Sequence, residues 1–152
     1  MKIRKTAIGL VVAAGLFGGI QSVAAQTANN PVLCRYSWCW THVQVTQNAS
    51  GQPVANVTWN QFQMGNKLSG VTHAWILVGS PDYEFRADSV VITGANAPGS
   101  AAQLPFRQVL PDRYAMDNLN TNNLTYAYEL RVYRKGSPTP VTATGTIVNS
   151  YN

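Results

Sequence analysis

From Leu124 to Tyr133 the chain alternates without a break, with Leu124, Tyr126, Tyr128, Leu130 and Val132 on one side and Thr125, Ala127, Glu129, Arg131 and Tyr133 on the other. A period of two puts one set on each face of an extended strand. It does not suit a helix, whose apolar stripe recurs every three to four residues. A strand this long with an apolar face needs a partner beside it and a second layer over it. Lys135-Gly136-Ser137-Pro138 supplies a turn and Val141 to Val148 returns, so an antiparallel hairpin is expected.

The same signature recurs upstream. Val43 and Val45 alternate with Gln44 and Thr46 in a strand over His42 to Thr46, and Asn48 to Pro53 reads as a turn. Val54 to Phe62 reads as one strand with Val57 and Trp59 on a shared face, broken by Gly65-Asn66-Lys67 and Ser69-Gly70. Val71 to Val78 is apolar on both faces, which places it centrally in a sheet. Tyr83 and Phe85 lead into a short strand over Ser89 to Thr93. Gly94 to Leu104, rich in Gly, Ala, Asn and Pro, reads as a surface loop, Pro105 to Leu110 as a short edge strand, and Asp112 to Asn123 is polar and Asn-rich. Lys and Glu, the usual residues of helix surfaces, are nearly absent, while Val, Thr, Tyr and Trp are plentiful. With about seven strands and no helical stretch for parallel crossovers, the expected fold is all-β, a single antiparallel β-sandwich over residues 32–152. An open β-barrel is the alternative.

Residues 1–25 stand apart from this pattern. Lys2, Arg4 and Lys5 precede an apolar run from Ala7 to Ile20, and Val23-Ala24-Ala25 before Gln26 has the small residues of a signal-peptidase site. The segment reads as a secretory signal cleaved near Ala25, followed by a loose arm over residues 26–31. The run is short for a membrane span, which needs roughly 20 apolar residues. The expected location is secreted or periplasmic, which favours oxidised cysteines. The chain has 11 basic and 6 acidic residues and a net charge of +5. Cleavage would remove three of the basic ones and leave a balance near +2, with the remaining cations scattered. That argues against a nucleic-acid partner, which requires a dense basic face.

The order Trp75-Ile76-Leu77, Tyr83-Glu84-Phe85, Val90-Val91-Ile92, Tyr126-Ala127-Tyr128-Glu129-Leu130-Arg131-Val132 and Thr146-Ile147-Val148-Asn149 resembles small bacterial secreted proteins with an immunoglobulin-like sandwich. The resemblance implies a fold and no catalytic residues.

Cys34 and Cys39 are the only cysteines, and an exported chain is expected to join them in a small ring. A zinc site from Cys34, Cys39 and His42 is the alternative, with only the distant His73 as a fourth ligand. No metal or cofactor is expected on balance. Arg35, Tyr36, Trp38 and Trp40 crowd this turn, and rigid aromatics with an arginine are the composition of a contact surface. The competing reading folds Trp38 or Trp40 back as a lid over the core. Trp59 and Trp75, in strand patterns, are expected inside, and His73 as a hydrogen-bonded core or rim histidine.

Catalytic signatures are missing: Gly-x-Ser-x-Gly, His-Glu-x-x-His and phosphate-binding glycine loops do not occur. Asp82, Glu84 and Asp88, with a histidine, are the residues from which a small hydrolase could be assembled. The leading expectation is a noncatalytic interaction module whose aromatic disulfide turn binds a protein partner. A carbohydrate-binding module and the hydrolase are the alternatives. Val141 to Val148 carries no charge, and at a sheet edge it would offer a route to self-association.

Overall fold

The computed structural model describes residues 31–65, 70–95 and 104–150. Residues 1–25, read above as an export signal, and residues 26–30 of the expected arm lie outside them. The described residues form eleven strands: β1 Pro31–Cys34, β2 Trp38–Gln47, β3 Pro53–Val57, β4 Gln61–Met64, β5 Val71–Leu77, β6 Tyr83–Glu84, β7 Val90–Ala95, β8 Phe106–Leu110, β9 Arg113–Asn118, β10 Thr125–Arg134 and β11 Pro140–Val148. There is no helix among the described residues, and none long and apolar enough to cross a membrane.

The expected hairpin is present. β10 and β11 pair antiparallel from Thr125 opposite Val148 to Tyr133 opposite Pro140, and Gly136 takes a left-handed φ of 79° in the turn. The strands form two sheets that share one core. The first has the order β1-β4-β11-β10-β6 with β7 also on β10, and the second β3-β2-β5-β9-β8. β5 is central, as its two apolar faces require, and β8 is an edge strand.

The wholly antiparallel expectation is corrected. β1 with β4, β4 with β11 and β2 with β5 are parallel pairs, so both sheets are mixed. The cause lies in the segment expected as one strand over Val54 to Phe62. It divides into β3 in the second sheet and β4 in the first, and the crossing at Thr58 to Asn60 brings β4 in beside β11 in the same direction. β11 is therefore interior, between β4 and β10, which removes it as a route to edge self-association. β9 arises in the polar stretch where no strand was expected. Of the Gly94 to Leu104 loop, Gly94 and Ala95 end β7 and Leu104 is buried, while residues 96–103 lie outside the described residues.

Tall aromatic rings fill the space between the sheets. Trp75 of β5 meets Phe62 of β4 and Tyr128 of β10 edge to face, with centroids 5.3 and 5.4 Å apart. Its indole N–H reaches the Tyr128 hydroxyl at 3.5 Å, and that hydroxyl donates to the Asn60 carbonyl at 3.3 Å. Gly145 on β11 leaves the room this requires, since a Cβ there would collide with the Asn60 carbonyl oxygen and the Tyr128 ring.

Candidate functional site

β1 ends at Cys34 in the first sheet and β2 begins at Trp38 in the second, so the turn between them passes from sheet to sheet. Cys34 and Cys39 are both buried at disulfide distance, with Cα atoms 5.4 Å apart. The backbone around them is pinned: Thr72 N–H donates to Ser37 O at 2.9 Å and Gly65 N–H to Cys34 O at 3.0 Å. The ring is thus a fixed corner that joins the two sheets.

Strand parity decides where the aromatics point. Along β2, Cys39, Thr41 and Val43 face inward, which sends Trp38, Trp40 and His42 to the outer face. Trp38 is 62% and Trp40 50% exposed, and Tyr36 in the turn is 78% exposed. The lid reading, in which a tryptophan folds back over the core, is not what this arrangement gives. A hollow of about 260 Å³ lies between Leu33, Arg35, Tyr36 and the two tryptophans. Trp59, expected in the core, is half-buried and lines the same hollow, because the chain is crossing between sheets at that point. Its backbone N–H is held by the buried Thr41 hydroxyl at 2.9 Å. Trp75 is fully buried as expected. The earlier strand phase could have shown this: continuing the alternation of Val43 and Val45 back toward the turn places Trp38 and Trp40 opposite them.

Behind the disulfide lies His73, fully buried on the inner face of β5. Its Nδ1 is 3.9 Å from Cys34 Sγ, its Nε2 is 3.1 Å from Met64 Sδ, and the Phe62 ring packs at 4.6 Å. Burial lowers its pKa to about 3 against a smaller opposing pull from the Asp117 carboxylate, so the imidazole is neutral. The zinc alternative drawn from the sequence is corrected in one respect: the histidine beside the cysteines is His73, while His42 stands on the exposed face.

Two of the three carboxylates of the hydrolase reading, Glu84 and Asp88, are engaged with other side chains. Glu84 pairs with Arg86 at 2.9 Å. Asp88 accepts from the Tyr133 hydroxyl at 2.5 Å and lies 3.5 Å from the Arg131 guanidinium, which also binds Glu129. The Tyr133 hydrogen bond lowers the Asp88 pKa, followed by smaller effects of its own backbone amide and of Arg131. Asp88 is thereby held as the anion, the wrong form for a general acid near neutral pH. Asp82 lines a separate shallow hollow with Tyr83 and Arg134.

A second feature was not foreseen. Asn118, Asn120 and Asn149 are buried and bonded to one another's surroundings. The Asn118 side-chain amide donates to Asn149 Oδ1 at 2.7 Å, and Asn149 donates to Asn122 Oδ1 at 3.1 Å. Asn122 in turn donates to the Tyr126 hydroxyl at 3.0 Å. Asn118 Oδ1 receives the Asn120 N–H at 2.8 Å, and Asn120, at a left-handed φ of 49°, accepts from the Ser150 N–H at 3.2 Å. Asparagine tolerates that conformation better than other side-chain-bearing residues. The cluster ties the end of β9 to the end of β11, and so one sheet to the other.

The chain matches no protein-family model, and no curated protein is significantly similar to it.

Proposed function

We propose that this protein is a noncatalytic secreted binding module that holds a protein partner through Arg35, Tyr36, Trp38 and Trp40. The observation that carries the reading is the exposure of three large aromatic rings on a corner whose backbone is fixed by Cys34 and Cys39. Aromatic rings ordered before contact lose little entropy on binding, and aromatics and arginine are the residue types that dominate contact energies. The export segment cleaved near Ala25 and the likeness to secreted immunoglobulin-like sandwiches belong to the same proposal. Two sheets that share an aromatic core support the likeness, although their pairing is mixed. Against the hydrolase reading stands the pairing of Glu84 with Arg86 and of Asp88 with Tyr133 and Arg131.

The test is capture by the oxidised mature protein, with identification of the partner by crosslinking from position 36. Trp38→Ala/Trp40→Ala and Arg35→Ala should weaken capture at least tenfold with the fold intact. Unchanged capture by both variants discards the turn as the contact site. A glycan ligand is favoured by one specific observation: Trp38 and Trp40 lie two apart on the same outer face of one strand, a ladder suited to stacking on successive sugar rings. Quenching of tryptophan fluorescence by a glycan, lost in the double variant, would select this reading over a protein partner.

A further inference from the structure

Beneath the aromatic turn, and independent of what that turn contacts, Cys34, Cys39 and His73 converge. Their ligand atoms all lie within 4.8 Å of one another and all three residues are buried. We propose that on reduction of the disulfide these residues form a Cys2His site for a thiophilic d10 cation, Cu(I) or Zn(II).

Three features of the geometry point there. The separation of Cys34 Sγ from His73 Nδ1 is 3.9 Å. Metal–sulfur bonds of about 2.3 Å and metal–nitrogen bonds of about 2.0 Å set two ligand atoms on one ion about 3.5 to 3.8 Å apart. The imidazole therefore already stands almost at bonding position. The tautomer is suitable as well. Neither Met64 Sδ nor the disulfide sulfur has a hydrogen to give, and the nearer of the two, Sδ at 3.1 Å against 3.9 Å, assigns the proton to Nε2 and leaves the Nδ1 lone pair toward Cys34 Sγ. Finally, Cys39 lines the aromatic hollow, which gives a cation an approach from solvent.

The chemistry balances with a dithiol reductant. Its thiolate attacks one sulfur of the pair, the bond between Cys34 and Cys39 breaks, and two electrons pass to them while the reductant closes its own disulfide. Two protons complete the two thiols. Cation binding then releases those protons as both sulfurs bind as thiolates, with the neutral imidazole as third ligand. Two thiolates and one imidazole in an apolar enclosure are a soft donor set, suited to Cu(I) and Zn(II) and not to Mg(II) or Ca(II).

The experiment uses the mature protein, oxidised and after anaerobic reduction, titrated in separate arms with Zn(II) and Cu(I) against a chromophoric chelator. Co(II) serves as a spectroscopic stand-in for zinc, and near-ultraviolet circular dichroism follows the fold. One equivalent of either cation in the reduced protein and none in the oxidised protein is expected, with sulfur-to-Co(II) charge-transfer bands. His73→Gln, checked for folding in its oxidised form, should weaken binding at least tenfold, and Cys39→Ser, which leaves one thiolate, should lower the charge-transfer intensity at saturation to about half. Met64→Leu, which keeps all three ligands, should retain one equivalent. Uptake of neither cation by reduced protein overturns the proposal. So does equal affinity in His73→Gln, uptake by the oxidised protein, or loss of the fold on reduction, because the site needs the two sheets to hold His73 against the cysteines.

Discussion

The disulfide turn and the asparagine cluster occupy the same end of the molecule, since Trp38 registers with Thr72 and the adjacent Val71 with Asn118. They treat side chains in opposite ways. The turn presents Tyr36, Trp38 and Trp40 to solvent, whereas the cluster buries Asn118, Asn120 and Asn149. Both join the two sheets, one by a covalent bond and one by a chain of hydrogen bonds. The asparagines can be buried because their amides are satisfied by one another and by nearby backbone. The tryptophans are exposed because strand parity gives the inward positions to Cys39 and Thr41. The buried amides have a structural role, and under the proposed function the exposed rings have a contact role, so substitutions in the two regions should separate stability from binding.

The sharpest separation is expected at Asn149. Asn149→Ala removes the acceptor for the buried Asn118 amide and one of the donors to Asn122 Oδ1, which keeps the Leu124 N–H. A loss of about 3 kcal/mol is expected in urea denaturation, with capture by the remaining folded protein unchanged. A loss below about 0.5 kcal/mol would mean that water replaces the amide and that the cluster is not a lock.

Acid should act next most strongly, and through the interior. His73 is neutral in the folded protein with a pKa of about 3, against an ordinary value of 6.5. Below about pH 6.5 the unfolded chain takes up a proton that the folded chain refuses, so stability falls as pH falls toward 3. About 2 kcal/mol should be lost between pH 7 and pH 5, from a limiting slope of about 1.4 kcal/mol per unit. Asp88 and Asp117 also have lowered pKa values, which adds to the loss at more acid pH, in the same direction. Asp88 responds first to Tyr133 and Asp117 first to Arg107. His73→Gln should flatten the upper part of the curve, and an unchanged slope there would show that His73 protonates in place.

Removing the covalent tie is a comparable perturbation. Cys34→Ser/Cys39→Ser opens a ring with four intervening residues, and closing so short a loop contributes about 2 kcal/mol through the unfolded chain. Thermal denaturation of this variant beside Asn149→Ala compares the two ties directly. If the cysteine variant lost nothing, the backbone bonds from Thr72 and Gly65 would be sufficient to hold the corner.

How much of this could be read from the sequence follows the same division between local and long-range causes. The β10–β11 hairpin was legible because alternation over Leu124 to Tyr133 and the turn at Gly136 are local signals. The central place of β5 followed from its two apolar faces. The break in Val54 to Phe62 shows locally only as a change of phase, from Val57 and Trp59 to Phe62 and Met64, and the switch of sheet depends on Asn60 O meeting Tyr128 and the distant Thr146 N–H. β9 was hidden by its polarity, although Tyr114, Met116 and Asn118 do alternate inward. An asparagine facing a core reads as a loop residue until its partner is known, and the partner is 31 residues away. In the site, the cysteine pair and the aromatic turn were found from composition. The approach of His73 to Cys34 depends on the parallel register of β2 with β5, which no local pattern encodes.

The smallest effect on stability is expected where the apolar area is greatest. Trp38→Ala/Trp40→Ala removes two rings of which half or more is solvated, at 62% and 50% exposure. Neither ring belongs to the core cluster around Trp75 and Tyr128. Deleting exposed side chains usually changes stability by no more than about 0.5 kcal/mol each, and removing apolar surface from water offsets part of any lost contact. Urea midpoints within error of the parent, together with lost capture, would complete the contrast with Asn149→Ala, which is expected to do the reverse. A loss of more than about 2 kcal/mol from the tryptophan pair would instead mean that the rings shield Cys39 and the corner beneath them. The aromatic turn would then be a structural cap, and the exposed surface of the module would have to be sought on another face.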